Sequence, residues 1–73
     1  MNGFPNEETV KRIKEKYPKG TKVRLVRMND RYAPPVGTIG TVMCVDDIAT
    51  IHVAWSNGSS LGVAYGEDIC EKI

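Results

Sequence analysis

Long apolar runs, histidine clusters and paired cysteines are what this chain lacks. No apolar stretch approaches the roughly 18 residues of a membrane-spanning helix. The N-terminus carries no apolar signal-peptide core, so the reading favours the cytoplasm and no membrane partner. The two cysteines, Cys44 and Cys70, have no Cys-x-x-Cys spacing, and a single histidine, His52, accompanies them. Such a set holds too few soft ligands for zinc. Both cysteines fall in apolar strand patterns and are expected as buried free thiols rather than as a disulfide.

The other ingredients of catalysis are equally scarce. His52 alternates with Ile51 and Val53, which places it on the wet face of a strand. A Cys44–His52 thiolate–imidazole pair needs both side chains on one face, and nothing in the local pattern decides that. The adjacent Asp46 and Asp47 read as turn formers, since a hard cation wants more oxygen ligands than these. The glycines precede no helix and therefore build no phosphate-binding loop. The expectation is a non-enzymatic chain with no catalytic residues, no metal, no cofactor and no small-molecule substrate.

What is present fits one small globular domain. Seventy-three residues, 41% hydrophobic and 26% charged, have an ordinary globular balance. A chain of this size buries only about 60% of its unfolded surface, close to the lower limit for a single core. Net charge is +1 but unevenly spread: residues 1–31 hold nine Lys and Arg against four acids, a net of +5, and residues 32–73 hold one against five, a net of −4. A split of that kind marks either an anion-binding face or a solvated helix beside an exposed strand face.

The patterning divides the chain into a loose start over residues 1–5, a helix over 6–17 and a β domain over 18–73. Asn6 is placed to cap the helix, with Glu7 and Glu8 in the first turn and Lys14 and Lys16 near the last. Val10, Ile13 and Tyr17 form one apolar stripe, and Pro18 and Gly20 stop the helix. From Thr21 the period becomes two, with Val23 and Leu25 on one face and Lys22, Arg24 and Val26 on the other. A stiff loop, Asn29 to Gly37, carries Pro34 and Pro35. Strands follow over 39–45 and 50–55, then the Asn57-Gly58 hairpin signal, a fourth strand over 61–64 and a fifth over 69–73. The expected core is Val10, Ile13, Val23, Leu25, Val42, Cys44, Ile51, Val53, Leu61, Val63 and Ile69, with Trp55 on the same inward face of its strand.

That order of strands and loops is similar to the SH3-like barrels, so the expected fold is all-β: a small five-stranded SH3-like barrel with one N-terminal α-helix. A closer resemblance rests on four segments. Tyr17-Pro18-Lys19-Gly20-Thr21-Lys22-Val23-Arg24-Leu25, Met28 to Pro35, Gly37 to Val42, and Ile51-His52-Val53-Ala54-Trp55-Ser56-Asn57-Gly58-Ser59-Ser60-Leu61-Gly62 together resemble the domain of unknown function 4314 family. The resemblance covers residues 17–73. It implies a cytoplasmic domain of Firmicutes, their phages and mobile elements, and it brings no activity and no catalytic residues with it.

Two binding roles remain. The first is protein–protein interaction through Arg31, Tyr32, Pro34 and Pro35, because a rigid loop with an aromatic and an arginine makes a good contact surface. The bland reading of the same loop is a flap folded back over an open barrel end. The alternative is RNA or DNA binding, with Lys11, Arg12, Lys14, Lys22, Arg24, Arg27 and Arg31 on phosphates and Tyr32 stacked on a base.

Overall fold

The computed structural model of the chain describes residues 5–73. The loose start read over residues 1–5 lies, apart from Pro5, outside the described residues. Helix α1 (Glu7–Lys16) begins where Asn6, in extended conformation, accepts the Thr9 N–H on its side chain at 2.8 Å. Glu7 and Glu8 meet the positive end of the helix dipole, and Lys14 and Lys16 the negative end. The Tyr17 N–H closes on the Ile13 carbonyl at 3.0 Å before Pro18 removes the next donor. A ten-residue helix is marginal alone. Its stability comes from docking: Val10 and Tyr17 are buried, and Ile13 packs against the core.

Four strands form one antiparallel sheet: β1 (Lys22–Arg27), β2 (Ile39–Val45), β3 (Ile51–Trp55) and β4 (Ile69–Lys72), in the order β3-β2-β1-β4. The sheet does not close, since β3 and β4 are its outer strands. One face is covered by α1 and by the 61–68 segment, and there Val23, Leu25, Val42, Val53 and Trp55 are almost fully excluded from solvent. The Trp55 indole N–H is satisfied by the Leu61 carbonyl at 2.8 Å, as a buried indole requires. Among the described residues no helix is long and apolar enough to cross a membrane.

The fourth strand expected over 61–64 is a single bridge, Ile51 with Val63, made by two backbone bonds of 2.9 and 2.8 Å. The same register returns where the Trp55 N–H reaches the Ser59 carbonyl at 2.9 Å. Between these points Leu61 falls out of the ladder. Its carbonyl is taken by the Trp55 side chain, and its N–H points to Ser59 Oγ at 3.3 Å. A side chain has therefore replaced the ladder bonds that would have made a strand. The Asn57–Gly58 turn forms as read, with Gly58 at φ 91°, a conformation open to glycine at little cost.

Two bulges correct the expected core. The β2–β3 register slips between Val42 and Cys44, so Met43 and Cys44 both face outward and Val45 returns to the core side. Cys44 is therefore exposed rather than buried. The β1–β4 register slips between Leu25 and Arg27, at Val26. Cys70 pairs with Leu25 and is buried, whereas Ile69 is 48% exposed opposite Arg27. Leu61, drawn out of the ladder, is only half-buried.

Candidate functional site

The irregular stretch between β1 and β2, Met28 to Thr38, is held at both ends. At its start the Asn29 N–H donates to Asp68 Oδ1 at 3.0 Å, and at its end the Gly37 N–H donates to the Leu25 carbonyl at 2.8 Å. The Leu25 N–H answers with a 2.9 Å bond to the Thr38 carbonyl. Inside the loop, Asp30 Oδ1 accepts the Tyr32 N–H at 2.7 Å and the Asp30 carbonyl accepts the Ala33 N–H at 3.1 Å, closing a tight turn. Thr38 closes a second turn on the Pro35 carbonyl through both its N–H and its hydroxyl. The backbone N–H groups of Asn29, Tyr32, Ala33, Gly37 and Thr38 are thus bonded, and these bonds order the loop at its ends and at both turns.

Four side chains stand out from this frame. Tyr32 is 75% and Val36 72% exposed, the most exposed large apolar residues described, and Arg31 and Pro35 are exposed beside them. The Arg31 guanidinium carbon lies 5.4 Å from the Tyr32 ring centroid, a cation–π arrangement. Pro34, grouped with these on sequence, is buried and anchors the loop from below. Val36 was not singled out from sequence. Its signal was there, as a β-branched apolar residue between Pro35 and Gly37 with no strand to join.

Asp68 is the carboxylate that ties the loop to the fold. Its second oxygen accepts the Ala64 N–H at 3.0 Å, so one side chain joins the loop entrance to the 64–68 turn. Replacing Asp68 with Ala is expected to cost about 1–2 kcal/mol, the worth of two partly exposed bonds to a charged acceptor. Urea unfolding measures that cost. Hydrogen exchange should show the Asn29 and Ala64 amides losing protection first, and unchanged exchange at Asn29 would mean the loop is anchored by other bonds.

The basic residues do not gather on one face. Lys11, Arg12 and Lys14 are on α1, which packs on the core side of the sheet, and Lys14 pairs with Asp47 at 2.9 Å. Lys22 and Arg24 alternate with buried Val23 and Leu25 and therefore face the opposite way. Lys22 donates to Thr41 Oγ1 at 2.7 Å, and Arg24 pairs with Glu71 at 2.8 Å. Arg27 and Arg31 take part in neither of these ion pairs nor in the third, between His52 and Asp46.

That third pair organises the β2–β3 turn. His52 Nε2 lies 2.9 Å from Asp46 Oδ2, while Asp46 Oδ1 accepts the Ile48 and Thr50 N–H groups at 3.1 and 2.9 Å. The turn holds buried Ala49 at φ 62°, a left-handed conformation that strains a residue with a Cβ. Burial pushes the Asp46 carboxyl up, but the His52 hydrogen bond and the Thr50 and Ile48 N–H groups outweigh it and hold it below its ordinary 3.8. The stabilisation from Asp46 is therefore complete above pH 3.8 and is lost as pH falls through the lower folded value. Asp46→Ala is expected to lose about 1 kcal/mol at neutral pH. The gap between variant and parent melting temperatures should shrink in acid, and a gap independent of pH would detach the turn from this carboxylate.

Cys44 stands directly opposite His52 in the ladder, on the same outer face. Cys70 is buried, and burial pushes its thiol up to about 11 against the lowering influence of the Lys16 ammonium. Among the described residues no group of three or more His, Cys, Asp or Glu is placed to hold a metal ion. A family model described as a domain of unknown function (DUF4314) matches residues 6–73. No curated protein and no solved structure matches the chain.

Proposed function

The chain belongs to the DUF4314 family, and from its geometry we propose a non-enzymatic binding module that engages a protein partner through the Asn29–Gly37 loop. The observation that carries this reading is the pairing of rigidity and exposure. Tyr32 and Val36, the most exposed large apolar side chains, stand on a loop pinned by Asp68, Asp30, Leu25 and Thr38. A loop ordered before binding loses little entropy on contact, and an exposed aromatic with a neighbouring arginine is the usual make-up of an energetic anchor.

The reading extends to architecture and setting. We take the fold as an SH3-like barrel whose fourth strand has shrunk to the Val63 bridge. The bonds Ile51–Val63 and Trp55–Ser59, continuing one register on the far side of β3, support that view. In this reading the module works in the bacterial cytoplasm, among the proteins of its host or of a phage or mobile element.

Nucleic-acid binding is the alternative, and it draws on Arg31, Tyr32 and Arg27. It is weakened by the placement of Lys11, Arg12 and Lys14 on one side of the sheet and Lys22 and Arg24 on the other, which leaves no continuous phosphate track. The test has two arms. Isotope-labelled protein titrated with single-stranded and duplex oligonucleotides, at low and physiological salt, is expected to show no amide shifts. A photo-crosslinking residue at position 32 is expected to form protein adducts in bacterial cells, and the same residue at Ala54 is expected to form none. Salt-sensitive shifts over Arg27–Val36 would transfer the loop to nucleic acid. Equal crosslinking at 32 and 54 would remove it as a contact surface.

A further inference from the structure

We infer that the partner of this loop is an acidic protein segment, a carboxylate flanked by aliphatic side chains, with Arg31 as the residue that selects it. This rests on the loop being the contact surface. The Arg31 guanidinium carbon lies 5.4 Å from the Tyr32 ring centroid, within cation–π range, so the ring biases where the guanidinium sits. Its N–H donors lie around the edge of the planar group, and the ion pairs among the described residues, Lys14–Asp47, Arg24–Glu71 and His52–Asp46, do not include it. The adjacent carboxylate, Asp30, is turned to the Tyr32 N–H instead. An exposed guanidinium beside an aromatic ring and outside those ion pairs is suited to bidentate contact with a carboxylate.

The surroundings match such a ligand on two further counts. Arg27, at the end of β1 where the loop begins, adds a second cation outside the ion pairs. Val36 and Pro35, exposed on the same loop, offer apolar surface for the side chains beside the carboxylate. A phosphate chain would use the two cations and leave Val36 and Pro35 without a role. An acidic peptide with aliphatic neighbours uses Arg31 and the apolar surface of the same loop together.

The test is an amide-shift titration of the labelled full chain with three probes: acetyl-Leu-Asp-Leu-Asp-Leu-amide, its Asn counterpart, and a short oligothymidylate. The acidic peptide is expected to shift amides over residues 31–37. The Asn peptide should bind about two- to fivefold more weakly, the worth of one exposed ion pair. Arg31→Gln should remove that difference and Arg31→Lys restore only part of it, because an ammonium has no fork. A melting curve equal to the parent confirms that each variant is folded. Equal binding of the two peptides, shifts centred elsewhere, silence with every probe, or shifts from oligothymidylate alone would each overturn the acidic ligand. The position-32 crosslink reports separately: protein adducts there, with no preference for the acidic peptide, would leave the loop reading standing and this inference refuted.

Discussion

Gly40→Ala is expected to lower the melting temperature by roughly 12–24 °C, although it adds only one methyl group. Gly40 lies in β2 directly opposite Trp55 of β3, and the indole covers the space where a side chain would stand. A Cβ built there falls 2.4 Å from Val53 Cγ1 and 2.7 Å from Trp55 Cε3. Neither neighbour can retreat, because Val53 and Trp55 are 2% and 3% exposed and the Trp55 N–H is tied to Leu61. Overpacking of this kind costs about 3 kcal/mol, and each kilocalorie moves a domain of this size by several degrees. Ala54→Val adds more volume on the neighbouring outward position of β3 and should leave the melting curve within about 2 °C of the parent. Differential scanning fluorimetry on the two variants suffices. A Gly40→Ala protein that melts with the parent would show that Trp55 does not lie across β2.

Val53→Asp is expected to leave no folded population at room temperature. Val53 belongs to the dry centre of the core with Val23, Leu25 and Val42. An unpaired carboxylate there must either be desolvated or stay protonated, and either course costs several kcal/mol. Stability for a domain this small sits near the low end of the usual range, about 5 kcal/mol, and the carboxylate's cost added to the lost valine packing exceeds it. The control is one residue away: Ala54→Asp puts the same charge on the solvent face and should retain a dispersed amide spectrum. A native spectrum from Val53→Asp would mean that β3 turns its other face to the core.

These two variants also separate what was legible in the residues from what was not. Strand β3 was readable because Ile51, Val53 and Trp55 alternate with His52 and Ala54, and burial follows that alternation. The Asn6 cap and the Asn57–Gly58 turn were readable for the same reason: each is a bond between residues a few positions apart. The bulges were not readable. Alternation in β2 puts Cys44 inside with Val42, and only pairing with β3 inserts the extra residue that turns it out beside His52. At the far edge, the pattern put Ile69 in the core, and the register with Leu25 put Cys70 there instead.

The candidate site divides in the same way. Arg31, Tyr32 and Pro35 were visible as a stiff loop with an aromatic and a cation, a property of composition and proline spacing. That Pro34 turns inward, that Val36 turns outward and that Asp68 holds the entrance from 39 residues away all depend on distant contacts. So does the separation of the basic residues, since a count of charges carries no information about which side of a sheet each one faces. By itself the chain determined a short capped helix, the period-two strands and the place of a rigid loop, because side-chain period, capping and turn chemistry act within a few residues. Tertiary structure alone decided the bulges, the loss of the expected fourth strand to a tryptophan hydrogen bond and the outward face of the loop. Those rest on hydrogen bonds and packing between residues remote in sequence, whose pairing no local pattern specifies.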